Sequence, residues 1–306
     1  MPYTAALNGV APLPHLGVIR VQGEDAAKFL HGQLTQDFAL LGSAQARLAA
    51  FCNAKGRVQA SMIGFKRADG DILLVLSRDL LAPTLKRLSM FVLRAKAKLS
   101  DASADFTLLG LAGDAAVAAV ASAEPWSKAD SGAASAVRLY PAGDVPRALW
   151  VAPAGTMAPS GPALGADLWL WSEVASAVAT VTAPVAEAFV PQMLNYESVG
   201  GVNFKKGCYP GQEVVARSQF RGTLKRRAFV AHVPSPVAPG QEVFHSADPS
   251  QPAGTVVQAA PAPAGGWDAI VSLQLAATES GVLHVQAPDG PALQLQPLPY
   301  LLLADV

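Results

Sequence analysis

The chain has 306 residues, which predicts two or three domains because a single core rarely grows beyond about 250 to 300 residues. Its 23 lysines and arginines balance 23 aspartates and glutamates, so no net charge attracts nucleic acid or a membrane surface, and we expect neither as a direct partner. The first 20 residues lack a basic segment followed by an apolar one, and no later run of 18 residues is apolar without a charge or proline, so we expect an unexported, cytoplasmic protein.

The first hundred residues predict a layered α+β arrangement. Strand patterns lie at 16–23, 44–51, 58–67, 69–77 and 92–101, helical patterns lie at 24–34 and 78–91, and the turn CNAKGR predicts a hairpin between the second and third strands. The second helix requires Pro83 to lie in its first turn, because proline has no N–H and its ring clashes with the preceding turn. Strands before and after helices in this order favour α+β layers over repeated βαβ units.

The pattern changes twice in the rest of the chain. Residues 101–165 predict a smaller α+β lobe that ends in a Pro/Gly-rich linker, and residues 166–181 predict a strand running into a helix. After Arg227, six short strand patterns separated by proline and glycine predict an all-β barrel or sandwich. We therefore expect one α+β portion at 1–100 and 166–225, the lobe at 101–165, and β-structure at 226–306.

Only two cysteines occur, Cys52 and Cys208, and they do not form a Cys-x-x-Cys pair. This excludes a cysteine-only zinc site and a disulfide framework, and it favours a reducing compartment. The five histidines are isolated in the sequence, so we predict no metal site. We interpret Cys52, at the end of a predicted strand, as structural; Lys55 and Arg57, which follow it, face either a cavity or water.

The stretch KGCYPGQEVVAR, residues 206–217, gathers the residue types from which ligand-binding turns are built. Its glycines and proline predict a turn that leads into a helix over QEVVARSQF, so backbone N–H groups can face a ligand. Between Lys205 and Arg227 there are seven cations and one acid, Glu213. That excess suits a polyanionic small molecule, an acidic partner surface or simply a solvated face, and Glu213 can pair with Arg217 at i,i+4.

Cys208 lies between lysines and the predicted helix start, an environment that activates thiols. A free cysteine is also often a small packed side chain, so both roles stay open. None of the histidines is near it in sequence, so a cysteine–histidine pair would have to be assembled by the fold.

Residues 202–227, VNFKKGCYPGQEVVARSQFRGTLKRR, resemble the signature of the YgfZ family of folate-binding proteins, K-G-C-[FY]-x-G-Q-E-x-x-x-R. Every fixed position is filled, by Lys206, Gly207, Cys208, Tyr209, Gly211, Gln212, Glu213 and Arg217. The segments VQGEDAAKFLHGQLTQD and CNAKGRV, and the β-rich C-terminal region, also look like this family and its relatives, the aminomethyltransferases or T-proteins.

The resemblance implies an α+β, three-domain cloverleaf ring around a central tetrahydrofolate site, with a C-terminal all-β barrel. It implies a monomeric, folate-binding accessory protein that supports assembly or repair of iron–sulfur enzymes, including radical enzymes that modify tRNA. The cofactor would be tetrahydrofolate or a one-carbon derivative, and the partners would be folate and client iron–sulfur proteins.

The resemblance also implies roles for the signature residues. Cys208 would be the functional thiol, and Lys206 would favour its thiolate. The acidic glutamate tail of the folate would be attracted by some of the cations between Lys205 and Arg227. The loop residues expected near the folate are Lys206, Gly207, Tyr209, Gly211, Gln212, Glu213 and Arg217.

The alternative is a tetrahydrofolate-dependent aminomethyltransferase of glycine cleavage. Such enzymes resemble one another at a Gly-Gly-x-x-Asp-Asp turn, and alignment of that turn with KGRVQASMIG puts Ala60 and Ser61 at the acidic positions. Without a carboxylate there, nothing obvious supplies the negative charge that stabilises the cationic reacting centre. We therefore expect an accessory protein rather than a stand-alone transferase.

Overall fold

The computed structural model describes residues 6–221 and 224–303, which form three β-sheets and five α-helices. Two residues of the signature-bearing segment, Gly222 and Thr223, lie outside the described residues. Among the described helices, none has the length and apolar character needed to cross a bilayer. A continuous apolar core contains buried residues of all three sheets, for example Leu74, Leu149 and Ile270, so the sheets pack around a shared centre.

The first sheet is antiparallel and has the strand order β3-β4-β5-β2-β6. Its elements are β2 (Leu16–Gln22), α1 (Ala26–His31), β3 (Ala46–Cys52), β4 (Val58–Lys66), β5 (Ile72–Ser77), α2 (Arg78–Ser89) and β6 (Lys98–Asp101). The predicted hairpin is present, with Phe51 opposite Ala60. Strands β3 and β5 are buried almost throughout, so this sheet is covered on both faces.

Two details of this region correct the predictions. Pro83 is the sixth residue of α2 rather than part of its first turn. The helix continues past it because its buried face, which includes Leu80, Leu81 and Leu88, packs on β2 and β5, and burial of these side chains outweighs the cost of about 3 kcal/mol for an internal proline. The last strand covers only Lys98–Asp101 because its partner β2 ends at Gln22, so residues 92–97 have no strand to pair with.

The second sheet has the order β1-β7-β10-β9-β8. Its elements are β1 (Gly9–Pro12), β7 (Phe106–Ala112), α3 (Asp114–Ala119), β8 (Lys128–Ser131), β9 (Ala134–Ala142) and β10 (Val145–Pro153). Strand β1 was not predicted, and it pairs with β7 although it comes from the first hundred residues. The division of the chain into domains near residues 100, 165 and 225 stays a prediction.

Helix α4 (Ala166–Ala175) begins where a strand was expected, which corrects that prediction. Trp169 and Trp171 alternate with exposed or half-buried residues as in a strand, but α4 packs against the second sheet on one side and against the C-terminal strands on the other. Because both sides are covered, its apolar residues do not follow a single helical stripe.

The C-terminal strands close into a six-stranded barrel of order β11-β14-β13-β12-β15-β16, as the sequence pattern predicted. They are β11 (Arg226–Val233), β12 (Glu242–His245), β13 (Asp248–Pro261), β14 (Trp267–Gln274), β15 (Leu283–Val285) and β16 (Ala292–Gln296). The predicted helix before the barrel is α5 (Gln212–Phe220). Trp171 of α4 donates a hydrogen bond of 2.7 Å to Asp268 of β14, which ties the barrel to the rest of the molecule.

Candidate functional site

A cavity lies where the first and second sheets meet α4, and we call it the central cavity. Its empty volume is about 640 Å³, which includes space open to solvent at its mouth. Apolar residues of β3, β4, β5, β9 and β10 line it together with the rings of Trp126, Tyr140 and Trp169. The wall of the cavity is therefore mainly apolar and partly aromatic.

Among the described residues that line the central cavity, Glu173 of α4 is the one acidic residue. It accepts hydrogen bonds from Trp169 Nε1 at 2.8 Å and from Gln258 Nε2 at 3.0 Å, and it lies 3.1 Å from His15 Nε2. Burial raises the pKa of Glu173, but the His15 contact, the charge of Arg147 and the Trp169 bond together lower it by more. Its net pKa is below the ordinary value, so the group is ionised at neutral pH.

Arg147 of β10 is the counter-charge in the same wall. Its guanidinium carbon lies 4.6 Å from the centroid of the Trp169 ring, and its Nη1 donates to the Tyr140 carbonyl at 3.3 Å. Burial lowers the pKa of Arg147 to about 10, with Glu173 opposing the shift, so it stays charged at neutral pH. Its Nε is buried and has no acceptor among the described residues.

The two positions aligned with the transferase acids lie on β4, and one of them lines the central cavity. Ala60 is fully buried, and Ser61 is in the cavity wall. The Ser61 hydroxyl accepts a hydrogen bond of 2.9 Å from the Val181 N–H. A neutral hydroxyl therefore occupies the wall at the position where the alignment called for an acid.

The cysteine lies elsewhere, on residues 203–211, which we call the signature loop. This loop leads into α5, and Gly211 begins the helix with φ 79°. A Cβ at Gly211 would overlap the Asn53 carbonyl oxygen and would lie 2.6 Å from the Gly56 Cα. Only glycine satisfies both the backbone angle and the close approach, so the CNAKGR turn and the signature loop pack directly on each other.

Lys206 fastens the signature loop to α1. Its buried ammonium donates hydrogen bonds to the carbonyls of His31 and, at 2.8 Å, Leu34, and it lies 4.6 Å from the centroid of the Tyr209 ring. These carbonyls are at and just beyond the C-terminal end of α1, where helix carbonyls lack partners and attract cations. Burial lowers the pKa of Lys206 to about 8, with the charges of Asp37 and Cys208 opposing the shift.

A histidine–carboxylate pair lies against the same loop. His31 Nδ1 is 3.0 Å from Asp37 Oδ1, and a Cβ at Gly207 would lie 3.3 Å from His31 Nε2. Burial raises the pKa of Asp37, but the Leu40 N–H and His31 lower it by more, so the carboxylate is ionised. Gly207 is therefore a point of close approach, and the fold brings an imidazole to the loop although no histidine is near it in sequence.

The thiol groups differ sharply in exposure. Cys208 is exposed, whereas Cys52 is buried and burial raises the pKa of the Cys52 thiol to about 12. Glu213 and Arg217 are exposed and pair across one turn of α5 at 3.1 Å. Within the described part of the chain, no signature residue and none of the seven cations from Lys205 to Arg227 lines the central cavity. The predicted proximity of the loop residues to folate stays untested, and it is the alternative to a folate bound in the central cavity.

Comparisons with known proteins show the family and the fold to which this chain is similar. Residues 6–141 match the model of the GCVT N-terminal domain. The chain is 34% identical over 300 residues to the tRNA-modifying protein YgfZ of Edwardsiella ictaluri (strain 93-146), covering 92% of this chain and 89% of that relative. It is 30% identical over 302 residues to the protein of the same name from Klebsiella pneumoniae (strain 342), covering 92% and 90%. The chain belongs to the YgfZ family.

The fold of this YgfZ-family chain is that of the aminomethyltransferases. A crystal structure of glycine cleavage system aminomethyltransferase T from Bartonella henselae matches it with a TM-score of 0.66 at 15% identity, covering 98% of this chain and 89% of that one. The predicted three-domain, T-protein-like α+β fold with a C-terminal barrel is therefore confirmed.

Local sequence patterns did not identify the two charged residues that line the central cavity, Arg147 and Glu173, or the contact of Glu173 with His15. His15, Arg147 and Glu173 come from three distant segments, and nothing in the local sequence connects them. One signal was available: Glu173 follows Trp169 by four residues in an otherwise apolar stretch. A carboxylate that shares a helix face with a buried tryptophan indicates a paired, enclosed acid.

Replacement of Lys206 with methionine is expected to lower the free energy of unfolding by about 1 to 3 kcal/mol, because two buried carbonyl oxygens lose their donor. Chemical denaturation measures this. The matched control is Lys205→Met, since Lys205 is exposed and has no side-chain partner among the described residues. Equal stability of the two variants would show that Lys206 does not anchor the loop.

Proposed function

We propose that this YgfZ-family protein binds a folate in the central cavity and uses Cys208 to support assembly or repair of iron–sulfur enzymes in the cytoplasm. The clients would include radical enzymes that modify tRNA, in keeping with relatives called tRNA-modifying proteins. The observation that carries the proposal is the separation of a largely apolar cavity with an ionised Glu173 from an exposed thiol on an anchored loop.

The residues of the central cavity fit a folate. A pterin is a flat ring with amide and amine N–H donors and a carbonyl oxygen. The ionised Glu173 suits the donors, and the apolar side chains of the wall together with the Tyr140 ring suit the flat ring. When bound, tetrahydrofolate or a one-carbon derivative supplies two amine nitrogens that can carry a one-carbon unit.

The signature loop suits a role toward another protein. Cys208 is exposed, and the residues around it are fixed by the Lys206 bonds to α1 and by the Gly211 contact with the CNAKGR turn. The thiol would act by thiol chemistry or by transient ligation at a client, and the loop would be ready without reordering.

The rival function, aminomethyl transfer in glycine cleavage, lacks support in the cavity wall. Ser61 is neutral, and the charge of Glu173 is balanced by Arg147. An uncompensated acid near the reacting centre is what stabilisation of a developing cation requires.

Calorimetric titration with tetrahydrofolate, together with an assay of tetrahydrofolate-dependent glycine cleavage, tests the proposal. We expect saturable binding, an increase in the melting temperature and no turnover. Robust turnover would establish the transferase, and the absence of both heat and thermal shift would indicate a scaffold without a folate site.

A further inference from the structure

A second concave surface lies outside the central cavity, between the CNAKGR turn and α2, and we call it the basic groove. It consists of two open depressions of about 1170 and 1010 Å³ of empty volume, each including space open to solvent. They share Arg87 and Glu187, so they are continuous. The residues that matter for its chemistry are Lys55, Arg57, Pro83, Lys86, Arg87 and Met90.

The charges of the basic groove are unbalanced. Lys55, Lys86 and Arg87 are exposed and have no ion pair or side-chain hydrogen bond with any described residue. Arg57 donates to the Ala188 carbonyl at 2.7 Å, which leaves its charge unneutralised. Among the described groove residues, Glu187 is the one acidic residue. Gln59 Nε2 donates a hydrogen bond of 2.6 Å to its Oε1.

A further cation lies next to these groups. Burial lowers the pKa of Arg226, and the neighbouring Arg57 lowers it further through like-charge repulsion. An anion bound in the groove would relieve that repulsion.

The basic groove also carries apolar surface. Pro83 and Met90 form part of its wall, and Met90 is 67% exposed. Phe91 and Leu93, just beyond α2, are exposed by 44% and 85%. Three large apolar side chains within four residues form an exposed patch of the kind that marks protein-binding surfaces.

We propose that the basic groove binds an acidic, amphipathic segment of a partner protein. Its carboxylates would meet Lys55, Lys86 and Arg87, and its apolar side chains would cover Met90 and Phe91. Two of the three apolar side chains beside the cations, Met90 and Leu93, are aliphatic. They suit the apolar side chains of a protein segment better than the flat bases of a nucleic acid, which stack on aromatic rings.

The position of the basic groove connects it to the signature loop. The Asn53–Arg57 turn forms its wall on one side and packs on Gly211 on the other, and Gly211 is three residues from Cys208. A segment held there brings its own protein close to the thiol. This step rests on the proposed function, in which Cys208 acts on client proteins.

Fluorescence anisotropy with three probes tests the groove: a labelled peptide with a glutamate face and a leucine face, the same peptide with glutamines, and a single-stranded oligonucleotide of equal charge. We expect the acidic peptide to bind most tightly and its affinity to fall with added salt. Arg87→Glu and Met90→Asp should each weaken it at least about tenfold. Lys98→Glu should not, since Lys98 is exposed but outside the groove.

Equal binding of the glutamine peptide, tighter binding of the oligonucleotide, or an equal loss in Lys98→Glu would overturn the proposal. The assay contains neither folate nor an iron–sulfur enzyme, and tetrahydrofolate binding of the same variants is measured separately. Failure of the groove to bind peptide therefore does not contradict the folate proposal. Failure of the folate titration likewise does not contradict the peptide-binding proposal.

Discussion

Cys208→Ser is expected to fold as the parent protein does and to fail completely in restoring iron–sulfur enzyme activity to a strain that lacks this protein. Cys208 is exposed and makes no described side-chain hydrogen bond, so exchange of sulfur for oxygen changes stability by less than about 0.5 kcal/mol. The hydroxyl is neither a comparable nucleophile nor a soft metal ligand, so any thiol-dependent step is lost. The activity of an iron–sulfur enzyme and the level of a tRNA modification in the complemented strain measure the effect.

Controls separate loss of the thiol from loss of the protein. Lys205→Met changes an exposed neighbour in the same loop and is expected to rescue fully. In the purified parent protein, a disulfide reagent should modify Cys208 rapidly and leave Cys52 untouched until the protein is denatured. Full rescue by Cys208→Ser would mean that the cysteine is only a small side chain in a turn.

Glu173→Gln is expected to weaken tetrahydrofolate binding by about 10- to 100-fold, since a hydrogen bond to a charged group contributes about 1.5 to 3 kcal/mol. The substitution keeps the shape of the side chain and removes the charge that pterin N–H donors would meet. Isothermal titration calorimetry measures the affinity. Asp167→Asn, an exposed change in the first turn of the same helix, is the matched control and should bind normally.

Glu173→Gln also removes the partner of Arg147, so its melting temperature must be compared with that of the parent. Val178→Trp provides a second route, because it fills part of the central cavity and leaves the polar groups in place. We expect it to block binding as well. Normal affinity in both variants would place the folate elsewhere.

The pH dependence follows from the direction of the Glu173 shift. Its folded-state pKa lies below 4.5, so its contribution to stability is complete above that value and is lost as the pH falls through the folded-state pKa. The Glu173 carboxylate stays ionised between pH 8 and pH 5, because this whole range lies above its pKa. Folate affinity should therefore show no step caused by Glu173 in that range. In Glu173→Gln, the loss of stability below pH 4.5 should be smaller.

Local sequence patterns predicted the elements whose burial is simple. Strand β2 is rich in β-branched residues, the barrel strands are separated by proline and glycine, and the signature singled out Cys208, which proved exposed. Helix α4 was misjudged because it is covered on two sides, so its apolar residues follow neither a helical stripe nor a strand.

The candidate sites were harder to predict than the elements. Glu173 meets His15 across 158 positions in the chain, and His31 reaches Gly207 only because Lys206 ties the loop to α1. The basic groove depends on Lys55 and Arg87, which lie on separate elements. Such groups are brought together by tertiary packing, and the local patterns of a single sequence do not reveal contacts between distant residues.

The most direct test of the account is a crystal structure of the protein with bound tetrahydrofolate. The account predicts that the pterin lies in the central cavity, with its N–H groups toward Glu173, and that Cys208 is open to solvent and does not contact the ligand. A folate bound against the signature loop, with Cys208 facing the pterin, would contradict it.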